Sequence, residues 1–347
     1  MLRYLGSRIL QAVGVLWAAF TVSFAVLYLL PSDPVSIAAG ADAGTPVDAA
    51  AIEQLQSRYG LDQPVWVQYW HALSNAVRGD LGMSISTGQQ VTDAIAAALP
   101  STLVLAVTAL VLAVVLGTAL AVLATYTRLG WLRNLLLCLP PLGVAVPTFW
   151  VGLLLLQLFS FRLRLFPAFG DQGIAHVILP AVTLALPTGA VIAQVLATSL
   201  QTTWRQPFIE AARAKGASRL RIQTRHALKL SSIPAFTIAG VVVGNLLAGS
   251  VVVETVFSRS GIGRLTQTAV MAQDIPVVQG IVVFSATVFV LVNLAVDLLY
   301  PLIDPRITHG GTASGESRGT ASSESRGTAS GGQNAADETL LEVEARV

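Results

Sequence analysis

WRQPFIEAARAKGASRLRIQTRHALKLSSIP, residues 204–234, is a basic, helix-forming stretch set between two long apolar segments that carry no charged side chain. Pro207 suits the first turn of a helix and Gly216 the position just past its end. Between them, Phe208 to Lys215 are good helix formers, with Glu210 in the first turn and Lys215 in the last, the order that the helix dipole favours. A second helix is expected from about Ser218 through Leu220, Ile222, Ala227 and Leu228. The pattern reads as two short helices hinged at a glycine and lying on the inner membrane surface. Its positive charges would hold it inside and near anionic lipid. Ala211, Ala212, Ala214 and Ala217 form a low ridge, which suits a groove on a soluble protein, whereas a lipid-burying face would carry Leu, Phe or Trp.

The flanks set the class. The chain of 347 residues is 54% hydrophobic and 12% charged, about half the charge of a soluble domain, with a mean hydropathy of +0.68. A helical span needs about 20 apolar residues. Six uncharged stretches qualify: about 9–30, 101–125, 135–160, 177–200, 233–253 and 277–296, the last helix continuing to about 300. Backbone groups in lipid must be satisfied within their own segment, so the spans are read as helices, and the alternating strands of a barrel are not seen. The first span is longer than the apolar region of a signal peptide and is read as retained. Seven Lys and Arg residues in 201–232, with Arg3, Arg8, Arg128 and Arg133 on the same side, set both termini inside. The expected architecture is all-α and polytopic, with six transmembrane helices, N-in and C-in.

Within this plan, residues 1–8 form a cytoplasmic N-terminus, 9–306 a transmembrane domain, 31–100 an extracytoplasmic loop and 201–232 a cytoplasmic loop. Pro31 and Pro34 stop the first helix, 48–59 has helical periodicity, and 61–70 brings aromatics suited to the membrane–water interface. From 307 onward the chain is a degenerate eight-residue repeat with little apolar content, expected to be a disordered cytoplasmic tail. Prolines and glycines concentrate in spans three to five, which points to those helices as the lining of a pathway. Gln157, Gln194, Asn245 and Glu254 are the candidate pathway residues, on polarity alone. Cys138 reads as a packing residue, and the four histidines make no metal-ligand spacing.

Glu210-Ala211-Ala212 followed by Gly216 resembles the EAA loop of ATP-binding-cassette (ABC) importer permeases. His226-Ala227-Leu228-Lys229 and Ile233-Pro234 are similar to its dipeptide/oligopeptide/nickel subclass, although His226 and Lys229 stand where the general pattern has Ile and Pro. Further likenesses run through residues 1–306: Leu30-Pro31 with Asp33-Pro34, Gly60 to Pro64, Arg78 to Gly82, Leu99-Pro100 with Thr102, Pro147 to Gly152, Val253 to Phe257, Gly261 to Arg264, and Asp304 to Arg306. The resemblance implies a type I ABC importer permease fold in the plasma (inner) membrane of a prokaryote. It further implies a second homologous permease, two cytoplasmic ABC ATPase subunits and an extracytoplasmic substrate-binding protein as partners, with peptides or peptide-like solutes as cargo. Glu210, Ala211, Ala212, Arg213, Lys215 and Gly216 would couple the chain to the ATPase. No cofactor, metal or catalytic residue is implied.

Two other classes fit less well. A secondary transporter or channel, not driven by ATP, would place ionisable groups at mid-membrane, where this chain has none; Asp297 lies near the inner end of the last span. An intramembrane enzyme would need a nucleophile elbow or a zinc motif, and neither occurs. A phosphate-binding loop needs Gly-Lys followed by Ser or Thr. The two lysines, Lys215 and Lys229, do not fit it, so the energy is expected to come from another subunit.

Overall fold

The computed structural model describes residues 2–29 and 62–303. The expected helix at 48–59, the stop at Pro31 to Pro34 and the repeat tail lie outside the described residues. In chain order the helices are α1 (Leu2–Leu29), α2 (Val65–Val77), α3 (Val91–Tyr126), α4 (Gly130–Ala145), α5 (Thr148–Arg162), α6 (Ala175–Thr203), α7 (Pro207–Ala214), α8 (Arg219–Thr237), α9 (Ala239–Val256), α10 (Ile262–Met271) and α11 (Ile275–Ile303). α1, α3, α6 and α11 are each long and apolar enough to cross a membrane, and α4 with α5 and α8 with α9 form bent pairs that bring the spans to six.

The bends fall in the third and fifth spans. α4 and α5 meet at 102°. Pro147 has no N–H to continue the helix and forces its predecessor out of helical geometry; Val146 is extended, with φ −82° and ψ 128°. α8 and α9 meet at 58°, the turn falling at Ile238, with φ −85° and ψ 2°. Both α5 and α8 contain a widened π segment, at Leu156–Arg162 and Ile222–Ala227. The second loop helix is therefore no separate surface element: it runs through its π turn directly into the fifth span. Cys138 is exposed instead of packed.

The centre of the fold is the crossing of α3 and α6. In α3, Ala109, Ala113, Gly117 and Ala121 recur every four residues and are buried. In α6, Ala181, Ala185, Gly189, Ala193 and Ala197 do the same. Residues four apart share a helix face, and small side chains there let two backbones approach closely, which is how helices gain contact in lipid. A Cβ added at Gly117 would lie 2.5 Å from the Gly189 carbonyl oxygen. Around this crossing the buried side chains form three layers. Val91, Ile95, Ile262 and Val277 lie at one end, Leu105, Leu156, Leu184 and Phe257 in the middle, and Leu196, Leu200, Ile209 and Ile222 at the loop end. At the edge, Tyr69 of α2 packs on Phe20 and Phe24 of α1 and shares a 2.9 Å hydrogen bond with Thr21. The outward faces carry Leu10, Trp17, Leu103, Val107 and Val111 exposed, a surface suited to lipid.

Replacing Gly117 with Val should force α3 and α6 apart at a cost of about 1–3 kcal/mol, read as a lower thermal midpoint in detergent. Gly14→Ala is the control, because a Cβ there meets nothing within 4 Å; its midpoint should be unchanged.

Candidate functional site

The hinge expected at Gly216 is built as a helix C-terminal cap. α7 ends at Ala214; the Ala217 N–H donates to the Ala212 carbonyl at 3.1 Å and the Gly216 N–H to the Arg213 carbonyl at 2.9 Å. This six-to-one and five-to-two pair of bonds needs a left-handed residue, and Gly216 has φ 81°. Ser218 then caps α8, its hydroxyl accepting from the Arg221 N–H. Glu210, Ala211, Arg213, Lys215 and Gly216 are exposed and Ala212 is half-buried, so the six expected coupling residues lie together on one accessible turn. Phe208 and Leu220 are exposed beside them.

The opposite face of this turn is locked to the membrane helices. Gln223 is fully buried. Its carbonyl oxygen accepts from the Trp204 indole N–H, and its amide donates to the Thr125 hydroxyl at 2.8 Å. One amide thus joins α8 to the ends of α3 and α6. Arg219 stacks on Tyr126 and on Trp204, at 5.3 and 5.6 Å from the ring centres, and donates to the Thr125 carbonyl. Arg213 covers Trp204 at 5.4 Å. Each such cation–aromatic contact contributes about 0.5–2 kcal/mol. Ile209 and Ile222 bury completely against Leu196 and Leu200, and Ser231 donates to the Thr203 hydroxyl at 2.8 Å. The loop and the inner ends of α3 and α6 therefore form one packed unit. Sequence reasoning found the exposed face and missed this seat.

At the other end of the bundle, Glu254 is fully buried. Its carboxylate accepts from the Thr102 hydroxyl at 2.7 Å, the Gly263 N–H at 2.7 Å and the Arg264 N–H at 3.3 Å, capping the start of α10. The Thr102 oxygen in turn accepts from the Ile262 N–H at 2.8 Å. A Cβ on Gly263 would lie 2.5 Å from the Val251 Cα and one on Gly261 would collide with the Glu254 carboxylate. Beside this knot, Arg259 is buried and donates to the His176 carbonyl and the Ser101 hydroxyl, with Asp171 3.5 Å away. Asp171 also accepts from the Ser260 N–H at 2.7 Å. Burial would raise the Asp171 carboxyl, but the Ser260 bonds, the Arg259 charge and the Ser101 hydroxyl together hold it below the usual carboxylate range. Asp274, also buried, accepts from the Ser86 hydroxyl at 2.6 Å and from the Ser84 hydroxyl, pinning loop 82–90 to the start of α11.

The four candidate pathway residues are not brought together. Glu254 is committed to its cap, Gln157 and Asn245 are exposed on different helices, and Gln194 is half-buried. None of them lines the apolar cleft of about 530 Å³ that opens between α3, α6, α8 and α9, past Leu110, Ile192, Lys229 and Phe236. No group of three or more metal-ligand side chains is found among the described residues.

The family described as "Binding-protein-dependent transport system inner membrane component" matches residues 113–309, and its N-terminal companion matches residues 1–106. The chain is 38% identical to the glutathione transport system permease protein GsiC of Escherichia coli O6:H1 over 309 residues, 89% of this chain and all of that relative. It is 37% identical to the protein of that name from Shigella flexneri serotype 5b, over the same shares of each chain. Among solved structures it resembles a chain of the inward-facing MetNI methionine ABC transporter, with a TM-score of 0.53 and 18% identity, covering 60% of this chain and 96% of that one. At that identity the likeness concerns the fold, that of a type I importer permease.

Glu254→Ala would strand buried donors, each costing about 1–3 kcal/mol, so the thermal midpoint in detergent should fall; an unchanged midpoint would remove the cap from the stability of the fold. Asp171 gives a pH signature. Because its folded value is depressed, the stability it adds is present above the usual carboxylate range and is lost as pH falls through the folded value. The midpoint should therefore drop on acidification below about pH 4, and Asp171→Asn should flatten that drop.

Proposed function

The chain belongs to the binding-protein-dependent transport system inner membrane components, and from that premise we propose how it is driven and what it carries. It is a permease subunit of an ATP-driven importer, embedded in the bacterial inner membrane. The subunit is not itself catalytic. In our reading ATP is hydrolysed by two cytoplasmic ABC ATPases, a second permease completes the pathway, and an extracytoplasmic binding protein delivers the solute.

One observation carries the mechanism: the loop around Glu210 to Gly216 is exposed on its outer face and locked on its inner face. The exposed ridge of Ala211 and Ala214, flanked by Phe208 and Leu220, fits a groove on an ATPase. Arg213 and Lys215 supply polar contacts there. Closure of the ATPases pushes on this ridge, and the Gln223 amide passes the displacement to α3 and α6. The bends at Val146 and Ile238 are the places where such a push changes helix angles without breaking the packed crossing. Peptides or peptide-like solutes are the proposed cargo, a reading supported by the likeness to a glutathione permease. The apolar cleft beside the α8–α9 bend is the proposed inner part of the pathway once the second permease is in place, with Lys229 at its rim.

Gly216 tests the coupling. A Cβ there meets nothing within 4 Å, so any effect comes from backbone strain, about 1–2 kcal/mol for a side chain held left-handed. Gly216→Val should lower uptake by the assembled transporter while leaving membrane insertion and ATP hydrolysis in place; Gly216→Asn, which tolerates this geometry, should transport nearly normally. Normal uptake by the Val variant would refute the hinge. Reversing Arg213 and Lys215 to Glu should reduce co-purification of the ATPase, and an unchanged yield would assign those charges to lipid.

A further inference from the structure

A cavity of about 660 Å³ opens where α3 ends and α4 begins, and it is unlike the apolar cleft already described. Tyr126 lines it from the end of α3, Thr127 and Arg128 from the connection, Leu132 and Leu136 from α4, and Arg219 from α8. Two arginines therefore line a space whose remaining wall is leucine-rich, and no carboxylate lines it among the described residues. Arg219 has spent its charge only in part. It stacks on two rings and reaches the Thr125 carbonyl, yet its buried Nε has no hydrogen-bond partner.

The position selects the acceptor. The connection 127–129 carries Arg128 and belongs with the basic loops that the positive-inside rule sets on the cytoplasmic side. Its neighbouring segments, 126–134 and 201–232, hold Arg and Lys against a single acidic residue, Glu210. A basic pocket between membrane helices on the cytoplasmic side, with an apolar groove leading from it, matches the two halves of a phospholipid. We propose that this cavity binds one anionic phospholipid of the inner leaflet. Its phosphate bridges Arg128 and Arg219, and an acyl chain lies along Leu132 and Leu136. Since Arg219 also holds Tyr126 and Trp204, the lipid completes the joint between the coupling helices and α3. The site stands independently of which solute is carried.

The test is native mass spectrometry of the full-length chain purified from vesicles of equal phosphatidylglycerol and phosphatidylcholine. The wild type should retain phosphatidylglycerol selectively, and Arg128→Gln, an exposed position, should lose it by about fivefold. Arg133→Gln removes an exposed cation that does not line the cavity and should retain the lipid. Leu136→Trp fills the groove without touching charge and should also reduce retention, which keeps the proposal testable if the arginine variant is poorly made. Equal retention of the two lipids, equal loss in both arginine variants, or full retention in Leu136→Trp would each overturn it.

Discussion

A single buried amide, the side chain of Gln223, holds the cytoplasmic loop to the membrane helices. It accepts from the Trp204 indole and donates to Thr125, so three helices share one pair of hydrogen bonds. Such bonds contribute only about 1 kcal/mol each in net stability, but breaking one member leaves a buried group unpaired. That asymmetry makes the seat behave as a latch: closed, it is inexpensive to maintain, and partly open, it is strongly disfavoured. A surface loop without this latch would yield to a push by moving relative to the bundle. With it, Ile209 and Ile222 stay packed against Leu196 and Leu200, and in the proposed mechanism a push on the loop would reach α3 and α6.

The opposite end of the bundle is organised by the same principle with stronger partners. Glu254 caps α10 and binds Thr102, Arg259 joins Ser101 to Asp171, and Asp274 ties loop 82–90 to α11. These contacts explain why Leu99 to Thr102, Val253 to Phe257 and Gly261 to Arg264 stand out together in the sequence. They meet in one place, where Gly261 and Gly263 are small because a carboxylate and a backbone press against them. The fold is thus tied at both ends by polar knots and held between them by a crossing of small side chains, with its bends in the spans that flank the crossing.

Much of this was legible in the chain. Apolar length located the spans, and Pro207 with Gly216 marked the limits of α7 to within a residue or two. The bend at Val146 was also available from the rule for residues preceding proline, although span three reads as continuous on hydropathy alone. What was not legible depends on distance along the chain. Gln223 and Thr125 are 98 positions apart and Ser84 and Asp274 are 190 apart, so no local pattern announces either contact. Polarity similarly misdirects at Glu254: a carboxylate at the end of an apolar span suggests a pathway, whereas its oxygens are occupied by a helix start. The π segments at Leu156–Arg162 and Ile222–Ala227 leave no composition signal.

The claim that force enters through the latched loop is tested most directly by the ratio of ATP hydrolysed to solute imported, measured on the assembled transporter with Gln223→Leu. Hydrolysis should continue while uptake falls, so that the ratio rises. A variant in which hydrolysis and uptake keep the wild-type ratio would contradict it.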